Sequence, residues 1–178
     1  MCTRLASETI SYYIRNETSV YCWLLDLKKA FDKVQFAKLF MKLKENKFPG
    51  IFLRLLIYIY LEQACRVRWN KPLSGTFRVK NGVRQGAVLS PTLFSLYINL
   101  LMLKLEKSGL GCHVNNHYYG SAAYADDIIL LSPSRNGLQS MFTMCEEYFM
   151  DHRITISTNN DVKKSKTKCI YVLLPQQK

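Results

Sequence analysis

The sequence predicts an α+β fold, an antiparallel sheet with helices packed on one face, built as one domain over residues 1–178. Three observations lead there. Residues 20–25 (VYCWLL) are apolar throughout and rich in aromatic and β-branched side chains, as a central buried strand requires. Residues 128–132 (IILLS) form a second such run, which leaves directly from Ala125-Asp126-Asp127. Around these runs apolar residues recur at helical spacing, giving the order strand, two helices, hairpin, helix, hairpin, helix, strands.

Taken in order, residues 6–14 read as a helix closed by a polar turn at 15–18, and the strand 20–25 carries Asp26 at its far end. Over 33–44, Val34, Phe36, Ala37, Leu39, Phe40 and Leu43 fall at helical spacing with lysines opposite. Phe48-Pro49-Gly50 ends that helix and another begins over 51–64. Residues 66–69 and 76–80 alternate apolar with basic side chains around Lys71-Pro72-Leu73-Ser74-Gly75, which predicts a hairpin with a wet, positive face. Asn81-Gly82 turns the chain toward Ser90, placed as the N-cap of a helix with Pro91 at its first position, running to residue 107. Strands are expected over 118–124 and 128–132, then a helix over 137–149. A short strand near 154–157 and a polar basic segment precede a last strand over 169–174.

Composition narrows the function. The 25 lysines and arginines against 13 acidic residues give a net charge of +12, which predicts a polyanionic partner. The cysteines (Cys2, Cys22, Cys65, Cys112, Cys145, Cys169) stand singly with no CxxC pair, so neither a zinc site nor a disulfide framework is suggested. The most apolar stretch, residues 51–61, is interrupted by Arg54 and too short for a bilayer. The expectation is a soluble intracellular chain with no membrane partner. Against this basic background, Asp26/Asp32 and Asp126/Asp127 are isolated acidic groups and candidates for metal binding.

Nucleotidyl transfer uses two divalent ions about 4 Å apart, and magnesium needs only two or three carboxylates beside substrate phosphates and water. Asp26 at a strand end with Asp126 and Asp127 in a hairpin turn supplies such a set. Successive strand residues face opposite ways, so Asp126 is expected to be the firmer ligand of the two neighbours. An Asp pair in a turn more often only bonds its own backbone. Here the strand that follows is apolar on both faces, so the turn emerges from the core.

These residues carry a resemblance. Residues 26–34 (DLKKAFDKV) resemble the first catalytic motif of reverse transcriptases, and 82–99 (GVRQGAVLSPTLFSLYIN) the second. Residues 124–132 (YADDIILLS) are similar to the catalytic turn, and 165–172 (SKTKCIYV) to the segment after it. Four motifs in family order, spanning roughly 20–172, are far more specific than YADD alone. AFDKV with QGAVLSP resembles the non-LTR, LINE-type branch, with group II intron and bacterial enzymes as the second alternative.

The resemblance implies a polymerase palm with a ferredoxin-like core, RNA-directed DNA polymerase activity, and two Mg2+ ions, with Mn2+ as a substitute. The partners implied are an RNA template, a DNA primer and deoxynucleoside triphosphates. Asp26, Asp126 and Asp127 would be catalytic and would hold the metals together with the backbone of Leu27. Leu27, Lys29, Ala30 and Phe31 would meet the triphosphate, and the Phe31 ring would clash with a ribose 2′-hydroxyl. Gln85 and Gly86 would contact the sugar and the templating pair, and Lys166 would lie near the pyrophosphate. Arg66, Arg68, Arg78, Lys80 and Arg84 are the candidate nucleic-acid contacts. Asp32 is read as structural, a cap for the helix beginning at Lys33. Leu100 departs from the family, which usually has an aspartate there. The shortness of the chain on either side of these motifs implies a fragment with fingers and thumb largely missing. The competing readings are a non-catalytic palm that binds nucleic acid and, with little support, a membrane-surface basic protein.

Overall fold

The computed structural model describes residues 2–157 and 167–172. In chain order the elements are α1 (Cys2–Arg15), β1 (Val20–Lys28), α2 (Ala30–Lys33), α3 (Phe36–Glu45), α4 (Gly50–Leu61), β2 (Ala64–Cys65), β3 (Phe77–Arg78), α5 (Ser90–Lys107), β4 (His113–Val114), β5 (His117–Tyr118), β6 (Ser121–Tyr124), β7 (Asp127–Ser132), α6 (Arg135–Asp151), β8 (Thr155–Ile156) and β9 (Lys168–Val172). They divide into two compact units, residues 31–97 and the remainder. Among the described residues no helix is long and apolar enough to cross a membrane.

The larger unit is built on β1. It pairs antiparallel with β7 along one edge, and β6 pairs with the far side of β7. Along the other edge of β1 lie β9, opposite residues 20–24, and β8, opposite Leu27 and Lys28. The register against β7 runs from Tyr21–Ser132 to Asp26–Asp127 without interruption. Directly opposed residues share a face, so Cys22, Leu24 and Asp26 lie beside Leu131, Ile129 and Asp127. On that face Val20, Cys22 and Leu131 bury against Ala6 of α1 and Cys112, with Ile10, Tyr13, Leu24 and Ile129 packed around them. Tyr13 braces the neighbouring segment: its hydroxyl donates to the His113 carbonyl (2.9 Å) and accepts from the His113 N–H (2.8 Å).

The opposite face of β1 is covered by α6, where the Phe142 ring stacks on Trp23 at 3.9 Å and 7°. The antiparallel α+β arrangement is the expected one, but helices cover both faces rather than one. Residues 20–25 are apolar at both parities, and each parity needs a cover. Ser134 caps α6 by accepting from the Gly137 N–H (3.1 Å). Leu138, Met141, Phe142, Cys145, Tyr148 and Phe149 then form its buried stripe.

In the smaller unit α3 packs on α4 through edge-on contacts of Phe36 and Phe40 with Tyr60. The helix expected over 33–44 is broken at Val34-Gln35, where Gln35 is extended (φ −82°, ψ 121°). The Gly82 N–H donates to the Val34 carbonyl and the Val83 N–H to that of Phe31, both at 2.8 Å. These carbonyls are therefore unavailable to continue α2 into α3. A hairpin forms as β2–β3, its first strand lying just before the expected 66–69, where Arg68 bridges Leu73. Ser90 opens α5 fully buried, and its hydroxyl donates to the Arg84 carbonyl. It thereby ties the 82–89 loop to the helix.

Candidate active site

The sheet face that begins as core ends in carboxylates. Beyond Leu24 and Ile129, Asp26 and Asp127 stand directly opposite one another in the β1–β7 register. Such a pair places Cβ atoms about 5 Å apart on one face. Tyr124 and Asp127 close the β6–β7 hairpin, so the turn is Ala125-Asp126 alone. Ala125 takes a positive φ of 53°, which a two-residue hairpin demands and which costs a non-glycine residue strain energy. Asp126 is half-buried, and Asp127 is exposed at the first strand position. The residue in register with Asp26 is thus Asp127, with Asp126 one step out in the turn.

Asp26 is held by its backbone. Its N–H donates to the Thr167 hydroxyl (3.3 Å) and its carbonyl accepts from the Ser157 N–H (2.7 Å). Thr167, the third residue of the SKTK stretch, therefore lies against Asp26. Lys168 is registered opposite Leu24, on the same face as Asp26 and one pair removed. Lys166 falls outside the described residues.

Like charges directly opposite on paired strands repel, and a cation beside them offsets that repulsion. Among the described residues no three His, Cys, Asp or Glu side chains converge as a ready-made metal cage. Hard carboxylate oxygens on an open sheet end, without sulfur or imidazole, fit magnesium, which keeps several waters and takes few protein ligands. Zinc sites are built mostly on thiolate and imidazole ligands, which this carboxylate set does not contain.

Around the first motif, Leu27 is buried and points its side chain into the core. Lys29 adopts φ 51° as the chain turns from β1 toward α2, and Ala30 is buried.

The smaller unit holds the other sequence-predicted residues. Phe31 is half-buried with its ring 5.2 Å from that of fully buried Phe94. A cleft of about 370 Å3 is lined by Asp32, Gln63, Asn81, Gly82, Arg84 and Gln85. Gly82 has φ +92°, and a Cβ there would stand 3.0 Å from the Cα and carbonyl oxygen of Asp32. Gly86 has φ +81° with open space around it. The side-chain amide of Gln85 donates to Asp32 Oδ1 (3.3 Å). Asp32 is not the helix cap expected from the sequence. It lies inside α2, while α3 starts after Gln35 with no side-chain cap. Sequence reasoning missed its link to Gln85, because 53 residues separate the two.

On the basic hairpin, Arg66 donates to the Thr76 hydroxyl (2.6 Å) and Arg78 pairs with Glu62 (3.1 Å). Arg68, Lys80 and Arg84 are exposed.

A family model described as reverse transcriptase (RNA-dependent DNA polymerase) matches residues 3–171. The chain belongs to the reverse transcriptase family. Relatives of this reverse transcriptase domain are retrotransposon proteins of the non-LTR kind. It is 30% identical over 144 residues to the Pol polyprotein of a type-1 R2 retrotransposable element of Nasonia vitripennis, covering 81% of this chain and 14% of that protein. Over 121 residues it is 34% identical to the type-2 R2DM polyprotein of Drosophila melanogaster, covering 68% and 11%. It therefore spans about a seventh or less of the length of these relatives. Among solved structures, apo telomerase from Candida tropicalis superposes with a TM-score of 0.65 at 16% identity, over 98% of this chain and 36% of that one. Telomerase from Candida albicans, in complex with a fragment of telomeric RNA, gives 0.68 at 13% identity, over 99% and 30%. At such identities the likeness is one of fold.

Proposed function

We propose that this reverse transcriptase domain is the catalytic core of RNA-directed DNA synthesis, adding deoxynucleotides to a DNA primer 3′ end on an RNA template. The observation that carries this reading is the register of Asp26 opposite Asp127 at the turn holding Asp126. Asp26, Asp126 and Asp127 would hold the magnesium ions. When bound, two such ions lower the charge on the attacking 3′-oxygen and on the leaving pyrophosphate. The hydroxyl oxygen would bond to the α-phosphorus and give its proton to water, while the bond to the bridging oxygen breaks and pyrophosphate leaves with the electron pair.

The remaining assignments follow the motifs. The backbone of residues 27–31 would receive the triphosphate, and Phe31 would exclude a 2′-hydroxyl. Gln85 and Gly86 would contact the sugar and the templating pair, and Lys166 would lie near the pyrophosphate. Arg66, Arg68, Arg78, Lys80 and Arg84 would contact nucleic-acid phosphates. A second reading, a palm that binds nucleic acid without catalysis, is favoured by one observation: no three ligating side chains converge among the described residues.

The test replaces the matching segment of the Nasonia R2 polyprotein with this chain and measures primer extension on an RNA template with magnesium. Extension is expected, and Asp26→Asn or Asp126→Asn should each reduce it by about 10³-fold or more, since charge stabilisation at the reacting phosphate is usually the largest catalytic contribution. A folded, RNA-binding but silent chimera would establish the second reading. The isolated 178-residue chain is expected to extend poorly, because rate depends on how well primer and triphosphate are positioned.

A further inference from the structure

We propose that Asp32 is a positioning residue: it orients the side-chain amide of Gln85 so that the carbonyl oxygen is left to accept a donor in the cleft that both residues line. The inference rests on the proposed role of Gln85 and goes beyond it by naming what sets the direction of that side chain.

Three backbone features bring the two residues together. The Val83 N–H donates to Phe31 O and the Gly82 N–H to Val34 O, so the 82–83 stretch of the loop lies along α2 on both sides of Asp32. Gly82, at φ +92°, approaches so closely that a Cβ would stand 3.0 Å from Asp32 backbone atoms. From this fixed base Gln85 reaches back, and its Nε2–H donates to Asp32 Oδ1 at 3.3 Å. The loop is tied at its far end as well, where the Ser90 hydroxyl donates to Arg84 O.

The chemistry then removes an ambiguity. A glutamine amide offers donors on nitrogen and acceptor sites on oxygen, whereas an ionised carboxylate only accepts. With Asp32 beside it the amide nitrogen turns toward Asp32, since the reverse orientation would set oxygen against carboxylate. The Oε1 atom is then left as an acceptor that Asp32 does not use, on a side chain that lines one cleft with Asp32 and Arg84. Such an acceptor takes a donor, a sugar hydroxyl or a base amino group. Both side chains are exposed, so the bond adds little stability in competition with water. Its effect is on orientation.

The experiment uses the 178-residue chain and follows the side-chain amide resonances of Gln85 by nitrogen–proton NMR, assigned by their loss in Gln85→Ala. Asp32→Ala is expected to move the Gln85 pair to the position of a solvated glutamine. Asp32→Asn, which keeps an acceptor oxygen, should leave it near the original position. Titration with magnesium and a deoxynucleoside triphosphate is the second readout. Asp32→Ala should weaken binding about threefold, as loss of one solvent-exposed hydrogen bond does. Asp32→Asn should restore it, and adding Asp32→Ala to Gln85→Ala should cost nothing further.

Unmoved Gln85 resonances in Asp32→Ala would overturn the proposal, as would an equal Asp32→Ala penalty with and without Gln85. If Gln85→Ala leaves nucleotide affinity unchanged, or the parent chain binds none, the nucleotide role of Gln85 fails. The resonances would then still decide the Asp32 orientation on their own.

Discussion

Phe31 sits at the junction of two demands. Its ring stacks on buried Phe94 and the residue as a whole is half-buried, so it is both a packing residue and the proposed barrier to a 2′-hydroxyl. In the R2 chimera, Phe31→Val should raise ribonucleotide incorporation relative to deoxynucleotide about tenfold, because one clash removed is worth on the order of 1.4 kcal/mol. A melting midpoint measured alongside separates the roles: a lower midpoint with an unchanged ratio would make Phe31 core alone. Gly82 is the other residue whose identity the backbone dictates. Gly82→Ala meets both a positive φ and Asp32 at 3.0 Å, and should cost about 1–3 kcal/mol of unfolding free energy in urea titration.

Among the described helices, α4 carries the most exposed large apolar side chains. Leu56 and Tyr60 are buried, but Ile51 is 78% and Tyr58 67% exposed. Apolar side chains in that density on one helix promote association. The double substitution Ile51→Lys with Tyr58→Lys removes no buried contact, so the thermal midpoint should stay within a few degrees. Light scattering at high protein concentration should fall, and unchanged scattering would show that α4 is not the associating surface. The basic hairpin shows how structure sorts a sequence pattern. Arg66 and Arg78 are engaged with Thr76 and Glu62, whereas no such bond ties Arg68 or Lys80 among those described. Arg68→Ala and Lys80→Ala should each lower the slope of log affinity against log salt for single-stranded RNA by about 0.7, the value per phosphate neutralised. Slopes unchanged by either would move the phosphate contacts elsewhere.

For the whole molecule, charge and burial set its response to solution conditions. The +12 excess predicts RNA affinity that falls steeply with salt, through release of counterions. Affinity flat between low and moderate salt would mean that the charge serves another purpose. Burial pushes the Cys22 thiol up to about 11 and those of Cys112 and Cys145 up to about 12, from an ordinary 9.0. The folded state therefore favours the neutral thiol. Unfolded chains ionise from pH 9 upward while folded chains do not, so this stability is complete below pH 9 and is lost between about 9 and 12. Denaturant midpoints should decline over that window, and substituting the three thiols with alanine should flatten the decline.

The sequence by itself determined the antiparallel α+β class, the central strand at residues 20–25, the hairpin turn that carries Asp126, and the family. These are local signals: apolar runs, turn residues, and motifs read along contiguous chain. Local patterns cannot say which residues share a face or reach across loops, and there tertiary structure decided. It set Asp127 rather than Asp126 opposite Asp26, because antiparallel register assigns partners between strands a hundred residues apart. It broke the helix expected over 33–44, because carbonyls within and just after α2 accept from Gly82 and Val83. It put helices on both sheet faces, because a strand apolar at both parities must be covered twice. It also turned Asp32 from an expected cap into the partner of Gln85, a pairing of side chains that only folding brings within 3.3 Å.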